Sequence, residues 1–271
     1  MKPPVLGSPR GWINAMTPVG KYLYAIIRSL GEPTFDDVLA VGDPHIKVHT
    51  LSWDGLAAVV SDSPLTEYPS NRSYMLAHQR VQERVLREFT LLPVRFGTVA
   101  TGTSPEKDIQ KLLQKRVREF DALLADLEGH VELGLKALWR DERLLFEEIL
   151  SENPSIQRLR DSLAGKPSHA TQFDRIRLGE MIKDALGLKK AGEAAGIVTP
   201  LRRLARSCVE NPVVLDRMIV NAAFLVDKAR EGEFDQAVAK LDVERCEMVI
   251  KYVGPIPPYN FVNIAVNWQA L

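Results

Sequence analysis

From Val131 to Tyr252 the chain spells out a strand, a long helical stretch, two strands, a short helix and a last strand, and few folds accommodate that order. Val131, Leu133, Leu135 and Ala137 alternate with Glu132, Gly134, Lys136 and Leu138, the period of a strand. Asp141 caps a helix that must end before Asn153-Pro154. Helical stretches follow through Ile156–Leu163 and about Phe173–Leu188. After a softer step at Ala191–Gly196, another runs over about Pro200–Val209. Val213-Val214-Leu215 and Met218 to Val226 read as strands, Phe234–Leu241 as a short helix and Cys246–Tyr252 as the last strand. The predicted class is α+β, with this half a modified ferredoxin-like domain whose first crossover holds a long helical insertion.

The first half predicts a separate mixed α+β domain. Tyr22-Leu23-Tyr24-Ala25-Ile26-Ile27 suits a buried strand. Ile46–Leu51 and Leu56–Val60 form a hairpin around the Trp53-Asp54-Gly55 turn. A helix from Ser73 to Leu91 carries Tyr74, His78, Val81, Val85 and Phe89 on one stripe and stops at Pro93. The short strand Val94-Arg95-Phe96 follows, and a second helix starts at Ser104-Pro105 and closes at Gly129. Residues 1–19, punctuated by Pro3, Pro4, Gly7, Pro9, Gly11 and Pro18, read as a flexible leader. The expected domains are therefore 20–129 and 130–259, followed by a tail over 260–271.

Charge narrows the function. Thirty-five Lys and Arg balance 35 Asp and Glu among 271 residues. A non-specific nucleic-acid binder or an anionic-membrane binder needs a basic surplus, so neither partner is expected. A protein of a salt-loaded cytoplasm would be strongly acidic. Cys208 and Cys246 read as free thiols in a reducing cytosol, and no apolar run reaches the roughly 18 residues of a membrane span. A soluble, cytoplasmic protein is expected.

Few residues suggest chemistry. Gly97-Thr98-Val99-Ala100-Thr101-Gly102-Thr103-Ser104 has the two glycines of a phosphate-cradling loop, but Thr103 stands where the lysine should follow. A nucleotide- or phosphate-ligand-binding enzyme using Gly97–Gly102 is the alternative reading. His78, on an apolar stripe, is best read as a core or interface histidine with a satisfied ring nitrogen. The pairs Glu147-Glu148, Lys189-Lys190 and Arg202-Arg203 are solvated helix faces. No catalytic, cofactor-binding or metal-ligating set stands out, and no cofactor is expected. Arg95, beside Phe96 in an apolar run, is either half of an internal ion pair, the simpler reading, or an interaction residue at the surface.

The C-terminal stretch is the least ordinary. Lys251 is the last charged residue. Past Gly254-Pro255-Ile256-Pro257-Pro258-Tyr259, an extended corner, Val262, Ile264, Val266 and Trp268 alternate with Asn263, Ala265, Asn267 and Gln269. Such an uncharged strand pattern either folds back on the chain's own sheet, with the first domain as one place for it, or adds to a partner's. Tyr259, Phe261, Val262, Ile264, Val266 and Trp268 thus join Arg95 and Phe96 as candidate interaction residues.

The chain resembles the GvpF/GvpL group of gas vesicle accessory proteins. The resemblance is carried by Tyr22–Ile26, Leu92–Val99, Val131–Trp139, Asn221–Val226 and Gly254–Val262. It implies a non-enzymatic role in building gas-filled protein shells that give aquatic microbes buoyancy. The implied partners are the very hydrophobic shell protein and other accessory proteins. The family pattern often has an aromatic where this chain has Ile256. The neutral net charge fits a freshwater cyanobacterium better than a haloarchaeon.

Overall fold

In the structure, a computed structural model that describes residues 20–270, the run Tyr22–Ile27 lies at the centre of a five-stranded sheet. The leader expected at residues 1–19 lies outside the described residues. The fold is mixed α+β, with two antiparallel sheets and six α-helices among the described residues. Contacts divide the chain into a unit that ends at Ala122 and resumes at Ile264, and a unit of Leu123–Asn263.

The first sheet contains β1 (Gly20–Arg28), β2 (Val48–Trp53), β3 (Leu56–Ser63), β4 (Leu91–Pro93) and β5 (Val99–Ala100). Its order is β2-β3-β1-β4, with β5 also pairing β1. Every residue from Tyr22 to Ile27 is buried. Because alternate side chains of a strand point to opposite faces, β1 is covered on both. Tyr22, Tyr24 and Ile27 pack with Val81 and Val85 of α1 (Arg72–Leu86), which Asn71 caps by accepting a bond from Tyr74 N–H at 2.9 Å. The β2–β3 hairpin turns on Asp54 and Gly55, with φ of 47° and 80°. Two successive positive φ angles are the turn whose twist matches paired strands, and Gly supplies the second without a steric cost.

α1 stops at Leu86, short of the expected Leu91, because Leu91 and Leu92 are drawn into β4 opposite Ile27 and Ile26. α2 (Pro105–Leu127) starts at the expected proline, and Gly129 beyond it has a φ of 75°. The division between the units falls inside α2.

In the second unit, β6 (His130–Trp139) sits between β8 (Met218–Asp227) and β9 (Met248–Ile256), and β7 (Ser207–Glu210) lies outside β8. Val131, Leu133, Leu135, Ala137 and Trp139 of β6 point into one core with alternate residues of β8. Over that core lie α3 (Glu142–Glu152), α4 (Pro154–Leu163), α5 (Gln172–Arg202) and α6 (Glu231–Glu244). Three expectations fail here. The helices expected on either side of Ala191–Gly196 are one, α5, held by the buried Ile197, Val198 and Leu201 near its end. The segment expected to continue that helix is instead β7, and Val213–Leu215 is exposed and is no strand. The reason is non-local: β8 pairs Ser207–Glu210, and Arg206 and Asn211 extend the ladder by donating to Leu225 and Asn221. Helical propensity over a few residues yields to a strand edge.

The tail is not the regular strand its alternation suggests. It makes a single parallel bridge, Ile264 to Val94, and ends in a 3-10 turn over Trp268–Ala270. The alternation survives in burial, since Val262 and Ile264 are buried whereas Asn263 and Ala265 are exposed. Without a charge, the segment lies against the fold by side-chain burial and needs no continuous ladder.

Candidate functional site

The site grows from an irregularity in β1. Its pairing with β3 shifts between Leu23 and Ala25, so Tyr24 is the extra residue of a bulge. The carbonyl of Tyr24 instead accepts bonds from Val94 N–H at 3.0 Å and from Gln82 Nε2 at 2.7 Å. Its hydroxyl accepts from Val41 N–H at 2.9 Å and meets Ser61 Oγ at 3.0 Å, and burial pushes its pKa up to about 12.

His78 lies beside this bulge. Its Nε2 is 3.1 Å from Val94 O, which can only accept, so Nε2 carries the hydrogen. Nδ1 then accepts from the Tyr22 hydroxyl at 3.1 Å, and that oxygen accepts from Gly97 N–H at 2.9 Å. Burial pushes the His78 pKa down to about 4, so the ring is neutral at physiological pH. The expected core or interface histidine with a satisfied ring nitrogen proves to lie in the core, with both nitrogens bonded. Gln82, one turn on from His78, was not legible as its companion. The available signal was a second polar residue on the same apolar stripe.

The relay fixes the turn Val94–Thr98. Leu23 N–H donates to Thr98 O at 2.9 Å, and Thr98 Oγ1 donates to Arg95 O at 2.8 Å. Phe96 is half-buried, with its ring centroid 5.8 Å from that of His78. Arg95 is exposed, so it is not the buried residue that its apolar run suggests: the turn carries its side chain outward. Val94 also bridges Ile264, which brings the tail beside this turn, and Arg116 Nη1 donates to Ala265 O at 2.9 Å.

The remaining candidates separate. Val262 and Ile264 are 7% and 1% exposed, so neither side chain offers a surface to a partner. Val266 and Trp268 are half-exposed and belong with Arg95 and Phe96 to the first unit. Tyr259, 41% exposed, and the half-buried Phe261 belong to the second. There the chain is pinned by Asn260, whose N–H and Nδ2 donate to the two oxygens of Glu132 at 2.9 and 2.6 Å. Glu132 is wholly buried, and its pKa is raised by that burial against the opposing pull of the Asn260 bonds. A glutamate in a strand alternation reads as outward and solvated, so this anchor was invisible in the sequence.

The Gly97–Gly102 loop does not form a phosphate cradle. Lys21 is held by Asp62 at 2.6 Å and Glu106 at 3.0 Å in the cleft that Gly102 and Ser104 also line. A Cβ at Gly102 would strike the Asp108 carboxylate. Two carboxylates already hold the Lys21 ammonium, so it offers a phosphate no net positive charge. Among the described residues, no three His, Cys, Asp or Glu side chains are grouped to hold a metal ion, and no helix is long and apolar enough to cross a membrane.

Residues 20–263 match the sequence model of the family described as gas vesicle synthesis protein GvpL/GvpF. The chain is similar to gas vesicle protein F of a Streptomyces species, 31% identical over 243 residues, covering 89% of this chain and 99% of the relative. It is also similar to gas vesicle protein F of Microcystis aeruginosa, 29% identical over 249 residues, 91% of this chain and 99% of that one. Among solved structures, the crystal structure of GvpF from an Anabaena species superposes with a TM-score of 0.78 at 26% identity, covering 92% of this chain and all of that one (100%).

Proposed function

Because the chain belongs to the GvpL/GvpF family of gas vesicle synthesis proteins, we infer that it is a non-enzymatic assembly factor or minor component of gas vesicles, which binds the hydrophobic shell protein and helps vesicles nucleate or reach completion. The family match over residues 20–263 carries this reading. A shell subunit with a large apolar face must meet like faces without collapsing at random, and a transient partner for that face meets the need. The contact surface would be the outward turn at Arg95 and Phe96 with the half-exposed Val266 and Trp268 of the adjoining tail. Arginine and aromatic side chains dominate the energetics of such surfaces. Other accessory proteins are further partners on this reading, and the place of action is the cytoplasm at the growing vesicle. The strand order of the second sheet, in which the first strand lies between the third and the fourth, supports reading that unit as the modified ferredoxin-like domain.

The test is co-purification with the shell protein and with isolated vesicles. The wild type is expected in both fractions. Arg95→Ala combined with Trp268→Ala should weaken capture about ten-fold or more while leaving the melting curve unchanged. Absence of the wild-type protein from both fractions would sink the reading.

A further inference from the structure

The second sheet has a face that none of the helices above its core covers. Successive rows on it follow from the register. Lys136 of β6 stands between Lys251 of β9 and Asn221 of β8, and Gly134 stands between Val253 and Ala223. Glu132 comes next, with Asn260 bonded to it. These residues, with Asn211 and Ile256, line a cleft of about 460 Å³. The missing side chain at Gly134 helps open its floor, because a Cβ there would approach Val253 Cγ2 to 3.1 Å. Segments 131–139, 221–226 and 254–262, three of the five that carry the family resemblance, converge on this cleft.

The polar groups around it are incompletely used. Lys136 and Lys251 are directly paired across the strands, an arrangement that repels, and both are exposed. Among the described residues, neither has a carboxylate partner. Glu132 is the acid that lines this cleft. Four residues from Lys136 along the strand, or about 13 Å, it is too far away to pair. Asn221 Nδ2 donates to Pro212 O at 3.1 Å, and Asn211 Nδ2 donates to Asn260 Oδ1 at 3.0 Å. That leaves the Oδ1 of both Asn221 and Asn211 as acceptors without a protein donor among the described residues. Val253, 54% exposed, offers an apolar contact between the two ends.

We propose that this cleft binds a short extended acidic segment of a partner protein, its carboxylate between Lys136 and Lys251, its backbone N–H groups on Asn221 and Asn211, and a small apolar side chain over Gly134 against Val253. Two ammonium groups and two carbonyl acceptors complement a carboxylate joined to N–H donors. A free phosphate would use the first pair and leave the second idle. An extended peptide advances about 13 Å in four residues, the length of the cleft from Lys136 to Glu132. The site lies in the second unit and does not depend on the Arg95 turn.

The full chain is titrated with a fluorescently labelled acetyl-Ala-Glu-Ala-Val-Ala amide, whose Glu and Val side chains share one face of the extended peptide, with its glutamine counterpart, and with inorganic phosphate as competitor. Saturable binding of the acidic peptide is expected, about ten-fold weaker for the glutamine peptide and for the Lys136→Gln/Lys251→Gln protein, and weaker again as salt rises. Amide NMR shifts should move at Gly134, Ala223 and Val253. This second readout stands if the double variant is poorly behaved. Absence of saturable binding, equal binding by the lysine-free variant, shifts elsewhere only, or displacement by millimolar phosphate would each overturn the proposal. The assay contains no vesicle component, so its failure is distinct from failure of the assembly role.

Discussion

At the scale of single residues, the first unit is organised around a neutral histidine. His78 donates to Val94 O and accepts from Tyr22, so a proton on Nδ1 would break the relay that holds Gly97. Its pKa, pushed down to about 4, means that the unfolded chain binds the proton more tightly than the folded one. Stability from this group is therefore fully present above the ordinary histidine value of about 6.5 and is lost as pH falls from there to about 4. The loss should amount to about 3 kcal/mol. Urea unfolding from pH 7 to 4 should show it as a fall in midpoint that is much shallower in His78→Asn. Equal pH slopes in the two proteins would contradict the assignment. Glu132 works in the opposite sense. Its raised pKa adds stability below the ordinary carboxylate range and withdraws it as pH rises through the folded value, so the comparison must be made against the His78 variant and not read from the wild type alone.

At the scale of elements, lengths and turns agree across chain neighbours. Lys21 and Arg28, near the two ends of β1, pair with Glu106 and Asp121 of α2. Seven strand residues cover about 24 Å and fifteen helical residues about 22 Å, so the start of α2 runs alongside β1 in register at both ends. Between those pairs α2 is kinked at Arg116, which stacks over Phe120 at 4.7 Å and donates to Ala265 O. The hairpin depends on its turn. Gly55→Ala places a Cβ at a φ of 80° and should cost about 1 kcal/mol, with the melting temperature reduced by a few degrees. An unchanged melt would mean that the turn relaxes to another type. The hairpin, the proline start of α2 and the cap at Asp141 were all legible because their signals are local. The end of α1 and the whole of β7 were not, because each is decided by a strand distant in sequence.

At the scale of the molecule, the C-terminal stretch serves both units. Asn260 satisfies a buried glutamate of the second, and Ile264 closes against Val94 in the first. Deleting 264–271 should raise amide hydrogen exchange in β4 and the adjoining part of β1 and leave β6 and β9 protected. Deleting 260–271 should unprotect β6 near Glu132 as well, since a buried carboxylate without its donors costs about 1–3 kcal/mol or more. Identical exchange maps for the two truncations would refute that division. The sequence by itself determined the α+β class, the strands at Tyr22–Ile27, Val131–Trp139 and Met218–Val226, the core histidine and the family, because these rest on periodicity, caps and residue order along a short stretch of chain. Only the tertiary structure decided that Arg95 faces outward, that Val262 and Ile264 are spent inside the fold, that Glu132 is an anchor and that two lysines meet on an open sheet face. Those outcomes depend on strand register and a one-residue bulge, which set the face and the neighbour of every side chain and leave no mark in local sequence.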